Sequence, residues 1–103
     1  MCIKKEYFAQ QPVCKVKFKL PRSIVKTATR VYLTGDFNNW NTSGILMKKT
    51  KKGSFSTALT LETGKEYQFR YLIDSKYWEN DRNADKYVIS NIGGHSENSV
   101  VVI

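Results

Sequence analysis

The sequence predicts an all-β sandwich, and three features of the 103-residue chain point to it. Aromatic residues, which favour strands, make up 13% of the chain. Glycines at 35, 44, 53 and 64 mark turns at the short intervals that are typical of sandwiches and barrels. Apolar and polar residues alternate between these glycines, as they do in strands with one buried face. We therefore expect about seven or eight short strands in two packed sheets.

The alternation assigns the individual strands and the side of each that faces the core. The run from Cys14 to Leu20 places apolar residues on one face and Lys15, Lys17 and Lys19 on the other. Similar alternation covers residues 30–34, 55–61 and 67–73, and a β-branched run closes the chain at 100–103. The predicted core contains Val16, Phe18, Val31, Leu33, Phe55, Leu59, Phe69 and Tyr71. No segment has a helical period of useful length.

The length fits one domain, which we place at residues 13–103 after an N-terminal extension at 1–12. The extension has no apolar run typical of a secretory signal, and no segment approaches the roughly 20 apolar residues that span a bilayer. A cytoplasmic address is therefore expected, with no membrane partner. Cys2 and Cys14 form no metal-binding or disulfide pattern, so we expect reduced thiols.

The net charge of +8 is concentrated in the first third of the chain. Residues 1–30 carry eight Lys and Arg against a single acid, whereas the remaining residues carry nine against eight. A basic surface attracts nucleic acid and other polyanions without specificity. The aromatic residues that would stack bases are remote from the lysines in sequence, so the simpler interpretation is a solvated lysine face and no nucleic-acid partner.

The residue types needed for catalysis or metal binding do not form a convincing set. Two acid pairs, Asp74 with Glu79 and Asp81 with Asp85, lie in polar turns with no sign of the apolar pocket that raises a carboxyl pKa. The single histidine, His95, lies in a glycine-rich loop without the context of a nucleophile elbow. Four close zinc ligands are also lacking. We expect no enzyme activity, no metal and no cofactor.

The most informative residues are two tryptophans in polar surroundings. Trp40 ends the run GDFNNW after a predicted strand, Trp78 lies in a polar turn, and Arg70 occupies the polar side of the strand that leads to that turn. Indole faces can pack against the C–H groups of a sugar, while amide and guanidinium groups bond its hydroxyls. The alternative is that both tryptophans belong to the core or cap it, as is common in small sandwiches.

Three segments, in order, resemble carbohydrate-binding module family 48: VYLTGDFNNWN, YQFRYLIDSKYWENDRNAD and GGHSENSVVVI. This family includes the early-set domains at the N-termini of isoamylases and glycogen-branching enzymes, and the glycogen-binding domain of AMP-activated protein kinase β subunits. The similarity covers residues 13–103 and is greatest to free-standing bacterial early-set proteins. The resemblance implies an immunoglobulin-like β-sandwich that binds α-1,4-glucan polysaccharides such as glycogen without catalysis.

The resemblance also implies roles for individual residues. Trp40 matches the first stacking aromatic, Trp78 matches the second, and Arg70 stands where the kinase subunits have a lysine that contacts the ligand. Those subunits have two asparagines before the last strand, and the second of them contacts sugar. Ser99 occupies that position here. The remaining residues of the implied site are Asn38, Asn39 and Asn98 at its rim and Tyr77, the aromatic residue next to Trp78.

A second class of function fits the same residues. Tryptophan, tyrosine and arginine are also the residues that dominate protein interfaces. The chain could therefore be a docking module for a glucan-active enzyme, with no sugar affinity of its own. In the glucan-binding interpretation, a glycogen-metabolising enzyme or a regulatory protein is a further partner.

Overall fold

A computed structural model describes residues 2–89 and 97–103. In that part of the chain, ten strands and one short 3-10 helix form the regular structure. The strands are β1 Cys2–Tyr7, β2 Val13–Leu20, β3 Val31–Gly35, β4 Ile45–Leu46, β5 Lys48–Lys49, β6 Phe55–Glu62, β7 Glu66–Ile73, β8 Tyr77–Glu79, β9 Lys86–Ile89 and β10 Glu97–Val102. The 3-10 helix, Asp36–Asn38, follows β3 directly.

The strands form two antiparallel sheets. The first has the order β1-β2-β6-β5, and the second has the order β4-β3-β7-β10-β9, with β8 also paired to β7. The predicted all-β sandwich is confirmed. The described strands outnumber the seven or eight expected because β4 and β5 are only two residues long, too short for an alternating pattern to reveal them.

The alternation of apolar and polar residues does not predict the first strand, which lies in the N-terminal extension at 1–12. Cys2–Tyr7 instead pairs with β2 along its whole length, from the Cys2–Lys19 pair to the Tyr7–Cys14 pair. A salt bridge also ties β1 to the second sheet, since Lys5 Nζ lies 2.7 Å from Asp85 Oδ2. The run KKEY lacks a clean apolar phase, which explains why the sequence pattern did not show a strand there.

The core lies between the two sheets and matches the predicted phase. Seven of the eight predicted core residues are buried, and Leu59 is half-buried and packs against them. The Phe18 ring from the first sheet meets Phe69 from the second edge-to-face, with centroids 5.1 Å apart. The predicted outward direction of Lys15, Lys17 and Lys19 is also confirmed, because all three are exposed.

The central strand of the second sheet, β7, is buried on both faces from Phe69 to Ile73. Phe69 and Tyr71 face the core, whereas Arg70 and Leu72 face the opposite side, which we call the outer face. β7 has β3 on one side, and β10 and then β8 on the other, so the outer side chains are enclosed by neighbours. This outer face carries three of the residues that the sequence singles out, Arg70, Trp78 and Asn98.

A buried polar cluster fixes the segment between β8 and β9. Tyr71 donates a hydrogen bond of 2.7 Å to Asp81 Oδ2, and both side chains are buried. Burial raises the pKa of Tyr71 above its ordinary value, and the nearby Asp81 carboxylate adds to the rise. Tyr87 also donates its hydroxyl to the Asp81 carbonyl oxygen. Asp81 therefore acts as a structural acid.

Candidate functional site

Strand pairing places the outer-face residues in two adjacent rows that cross the second sheet. Paired residues in antiparallel strands project from the same face, so Thr34 on β3 lies beside Arg70 on β7. Asn98 precedes Ser99, whose partner on β7 is Phe69, so Asn98 continues this polar row next to Arg70. One step along β7, Leu72 pairs with Trp78 on β8. The face thus combines a polar row with an apolar one.

Arg70 is the unusual member of the polar row. It is only 8% exposed, and its Nε and Nη2 atoms are buried without a hydrogen-bond partner in the described part of the chain. Burial lowers the pKa of this guanidinium from its ordinary value. Burying a charge without a partner is costly, so proteins rarely keep such a group unless it has another use.

Two oxygen atoms beside Arg70 also lack a hydrogen-bond partner in the described part of the chain. Thr34 Oγ1 is buried and, within the described residues, has no hydrogen-bond partner. The same holds for Asn98 Oδ1, although the amide nitrogen of Asn98 donates a 2.9 Å hydrogen bond to Gln68 Oε1. Buried polar atoms in native proteins are nearly always hydrogen-bonded. Three neighbouring residues whose buried polar atoms lack a partner among the described residues therefore indicate a ligand or bound water.

Ser99, which the resemblance implies as a ligand contact, lies on the opposite side of β10 from Asn98. It pairs with Phe69, is fully buried, and projects toward the core rather than the outer face. Its hydroxyl donates to Asn80 Oδ1 at 2.7 Å and accepts from the Asp81 backbone N–H at 2.8 Å, which uses its one donor and one of its two acceptor positions. The phase of β10 therefore brings Asn98, not Ser99, to Arg70.

Trp40 is held at the end of the 3-10 helix by backbone geometry and by Asp36. Both Asn39 and Trp40 have positive φ angles, 55° and 58°, a conformation that is rare for a bulky residue. The indole Nε1 donates a 3.1 Å hydrogen bond to Asp36 Oδ1. The Trp40 side chain is half-buried, whereas Phe37 turns inward and packs against Phe18 with ring centroids 6.1 Å apart. Strained backbone at an aromatic residue is common at binding sites.

The two asparagines before Trp40 divide into a structural and an exposed residue. Asn38 Oδ1 accepts the Gly35 N–H at 2.9 Å, and its amide nitrogen donates to the carbonyls of Leu33 and Asn41. Asn38 thus shapes the loop. Asn39 is exposed, and its side chain makes no hydrogen bond within residues 2–89 and 97–103.

Trp78 projects from a tight hairpin between β7 and β8. Asp74 and Ser75 both have positive φ angles, and Lys76 N donates to Ile73 O at 3.0 Å, which closes the turn. Asp74 Oδ1 accepts the backbone N–H groups of Arg30 and Thr29, and these bonds lower the pKa of the Asp74 carboxyl. The turn is therefore anchored to the segment before β3, and it fixes where Trp78 begins its strand.

The hairpin directs Trp78 and Tyr77 to opposite faces, as expected for neighbours in a strand. Trp78 pairs with Leu72 on the outer face and is 39% exposed. Tyr77 pairs with Ile73 and is 66% exposed at the end of the sheet. Neither tryptophan lies in the hydrophobic core, so both indoles keep surface for a ligand.

Three of the four acids that could suggest catalysis make structural hydrogen bonds instead. Asp81 accepts from Tyr71, Asp74 anchors the hairpin, and Asp85 Oδ2 accepts both Lys5 Nζ and the Val102 N–H. No cluster of three or more potential metal ligands occurs in the described part of the chain. His95, the single histidine of the chain, lies outside the described residues.

The chemistry of the outer face suits a neutral ligand that is rich in hydroxyl groups. Arg70 offers donors and Asn98 offers an acceptor oxygen, whereas the Thr34 hydroxyl can donate or accept. A hydroxyl both donates and accepts and can satisfy either kind of atom. A phosphate or carboxylate would bond Arg70 but would meet the Asn98 oxygen without a proton to share. Thr34 and Asp36 were not singled out from the sequence, although the pairing of β3 with β7 would have revealed Thr34.

Comparison with known proteins agrees with this chemistry. A family model described as the glycogen recognition site of AMP-activated protein kinase matches residues 23–103. The chain belongs to this family. The match contains every candidate site residue, and the resemblance to carbohydrate-binding module family 48 is confirmed. It begins after β2, so the first two strands lie outside the matched part of this glycogen-recognition fold.

A curated protein, "Protein PTST homolog 2, chloroplastic" of Arabidopsis thaliana, is 34% identical to the chain over 76 residues. The match covers 74% of the chain but 13% of that protein, so the chain spans a small part of its relative. In residues 2–89 and 97–103, no helix is long and apolar enough to cross a membrane.

Proposed function

We propose that this chain is a non-catalytic module that binds α-1,4-glucans such as glycogen. The observation that carries the proposal is the set of buried polar atoms on Thr34, Arg70 and Asn98 that have no hydrogen-bond partner within residues 2–89 and 97–103, beside the exposed indole of Trp78. Sugar hydroxyls would complete these hydrogen bonds, and the ring faces would stack on the two indoles. Membership of the glycogen-recognition family supports the same ligand class.

In this proposal, Trp40 and Trp78 supply most of the affinity. Hydrogen bonds to neutral groups contribute only about 0.5–1.5 kcal/mol each, because the same groups bond water in the free state. We expect a dissociation constant on the order of 0.01–1 mM, or about 4–7 kcal/mol. Weak single sites suit a polymer with many chain ends, because the effective concentration of ligand is high. Asn39 and Tyr77 would make lesser contacts at the rim, while Asn38 and Ser99 act through loop and strand geometry.

The biological role that follows is that of an adaptor. A module without chemistry of its own would bring a glycogen-metabolising enzyme or a regulatory protein to the polysaccharide. The relative is much longer than this chain, which is consistent with such a module working beside other segments. The cytoplasmic address expected from the sequence stays a prediction, since that relative is named as chloroplastic.

The proposal is tested by calorimetric or NMR titration of the purified protein with maltoheptaose, and with a cello-oligosaccharide of equal length as the stereochemical control. We expect Trp40→Ala and Trp78→Ala each to lose about 1–3 kcal/mol of binding, by analogy with base stacking on aromatic residues. Tyr77→Ala should lose less. Tyr7→Ala is a matched control, because Tyr7 is an exposed aromatic residue on the first sheet.

Two outcomes would contradict the proposal. Full affinity in the double tryptophan variant would show that the sugar binds elsewhere. No affinity of the wild-type protein for either oligosaccharide would favour the alternative, in which the same face docks against a protein.

A further inference from the structure

The apolar row on the outer face does not end at Leu72. Leu72 pairs with Trp78 on one side and with Tyr32 of β3 on the other, and Tyr32 pairs in turn with Leu46 of β4. Since paired residues share a face, one continuous row crosses four strands, in the order Trp78, Leu72, Tyr32 and Leu46. It runs beside the polar row that contains Thr34 and Arg70.

The row is accessible at both ends and closed in the middle. Leu72 is 5% exposed and forms the floor, whereas Leu46 is 57% exposed on the two-residue edge strand β4. Tyr32 is half-buried, and its hydroxyl makes no hydrogen bond within residues 2–89 and 97–103. An aromatic ring with a free hydroxyl, placed between two apolar neighbours, offers both a stacking surface and a polar contact.

The dimensions of the row exceed a single sugar. Neighbouring strands are about 4.8 Å apart, so three steps from β8 to β4 cover about 14 Å. Only an oligosaccharide could contact both ends. A glucan has apolar ring faces and polar edges along its length. The apolar row could contact the ring faces while the adjacent polar row contacts the hydroxyl groups at the edges.

We propose that the glucan site extends from Trp78 over Leu72 to Tyr32 and Leu46, with Tyr32 as an additional sugar-contacting residue. The inference rests on the proposed function, because the occupant of the row is the continuation of a chain bound at Trp78. Two observations favour a sugar over a protein segment. The row is continuous with Trp78, and the adjacent Thr34 and Arg70 have buried polar atoms without a hydrogen-bond partner in the described residues. The extension makes affinity depend on chain length.

The test compares maltotriose with maltoheptaose in NMR titrations of the wild-type protein and of Tyr32→Ala. We expect the wild-type protein to prefer the longer chain. Tyr32→Ala should weaken the affinity for maltoheptaose by about fivefold to tenfold, which is the low end of aromatic stacking effects. It should change the affinity for maltotriose by less than about twofold. Leu46→Ser, at an exposed position, should reduce the same preference without affecting the fold. Tyr7→Ala on the other sheet is the control.

The outcomes separate this inference from the function on which it rests. If the wild-type protein binds both sugars, and Tyr32→Ala and Leu46→Ser weaken both equally or not at all, the extension is wrong and the glucan site stands. If the wild-type protein binds neither sugar, the proposed function fails and the extension fails with it. Loss of self-association in Tyr32→Ala, with unchanged sugar affinity, would overturn the extension and assign the row to a protein contact.

Discussion

The carboxylate of Asp36 joins Trp40 to the central strand of the second sheet. Asp36 Oδ1 accepts the indole N–H of Trp40 at 3.1 Å, and Oδ2 accepts the backbone N–H of Gln68 at 2.8 Å. One side chain therefore sets the position of the indole relative to β7, on which Arg70 lies. The strained backbone of Trp40 persists because this link and the short helix hold it in place.

Replacing Asp36 by asparagine should disturb both links. The side chain keeps its shape, but one acceptor oxygen becomes an NH₂ donor, so either Trp40 Nε1 or Gln68 N faces another donor. We expect a loss of about 0.5–1.5 kcal/mol in stability, because both hydrogen bonds are exposed, and weaker glucan binding with a change in tryptophan fluorescence. Urea unfolding and sugar titration measure the two effects. Unchanged affinity for sugar would show that Trp40 does not need Asp36.

Gly35 should tolerate no side chain, because β3 and β7 approach closely there. A Cβ at residue 35 would clash with the Gln68 carbonyl oxygen and lie 2.8 Å from Phe69 Cβ. Both contacts involve the strand itself, so backbone must shift. Gly35→Ala should cost about 1–3 kcal/mol or more. In thermal unfolding it should be clearly worse than Gly64→Ala, where nothing lies within 4 Å and the cost comes from the positive φ angle alone.

The β1 strand should be attached to the second sheet in a pH-dependent way. Partial burial of Asp85 acts to raise its pKa, but hydrogen bonds from Lys5 and the Val102 N–H outweigh this and leave the pKa below its ordinary value. The bonded, charged form is thus favoured by folding. Its stabilisation is complete above about pH 4, the ordinary carboxyl pKa, and disappears as the pH falls through the lower value of the folded state.

Asp85→Asn should therefore lower the melting temperature at pH 7 and flatten its acid dependence below about pH 4. Lys5→Met should also lower the melting temperature at pH 7, because it removes the salt bridge and leaves the Val102 bond. Melting curves between pH 2 and pH 7 check both variants. Parallel pH profiles of Asp85→Asn and the wild-type protein would show that Asp85 contributes nothing to this dependence.

The lysines of β2 should not take part in glucan binding. Lys15, Lys17 and Lys19 lie on the exposed face of the first sheet, whereas the proposed site is on the outer face of the second. Changing all three to glutamine should reduce binding to a polyanion such as heparin, an effect that salt also produces. Sugar affinity should stay within about twofold, since a neutral ligand gains little from distant charges. A larger loss of sugar affinity would move the site to the first sheet.

The sequence predicted best the features that depend on local alternation. Val31 and Leu33 on β3, and Phe69 and Tyr71 on β7, follow a strict period of two, and all four are buried. The same period placed Trp78 and Tyr77 on opposite faces. These features require no knowledge of which strands become neighbours.

Other features depend on strand partners, which alternation does not reveal. Arg70 reads as the polar side of a half-exposed strand, but β3, β8 and β10 enclose it. The choice between Asn98 and Ser99 depends on a one-residue phase after a glycine-rich segment, and such a shift exchanges the two faces. The β1 strand is visible only through its pairing with β2.

Arg70 should lower the stability of the folded protein. Its Nε and Nη2 atoms are buried and lack partners in the described part of the chain, and burial lowers its pKa, so the folded state carries an uncompensated desolvation cost. Methionine fills a similar volume without charge. We expect the free energy of unfolding of Arg70→Met to equal that of the wild-type protein or to exceed it by up to about 1–2 kcal/mol. The variant should bind maltoheptaose about tenfold more weakly. Arg70→Lys should keep part of the binding, because it retains the charge and loses the planar set of donors.

Differential scanning calorimetry with and without sugar gives both the stability and the sugar affinity of each variant in one experiment. An Arg70→Met protein that is strongly destabilised but binds sugar normally would make Arg70 a structural residue and would remove the central argument for the glucan site.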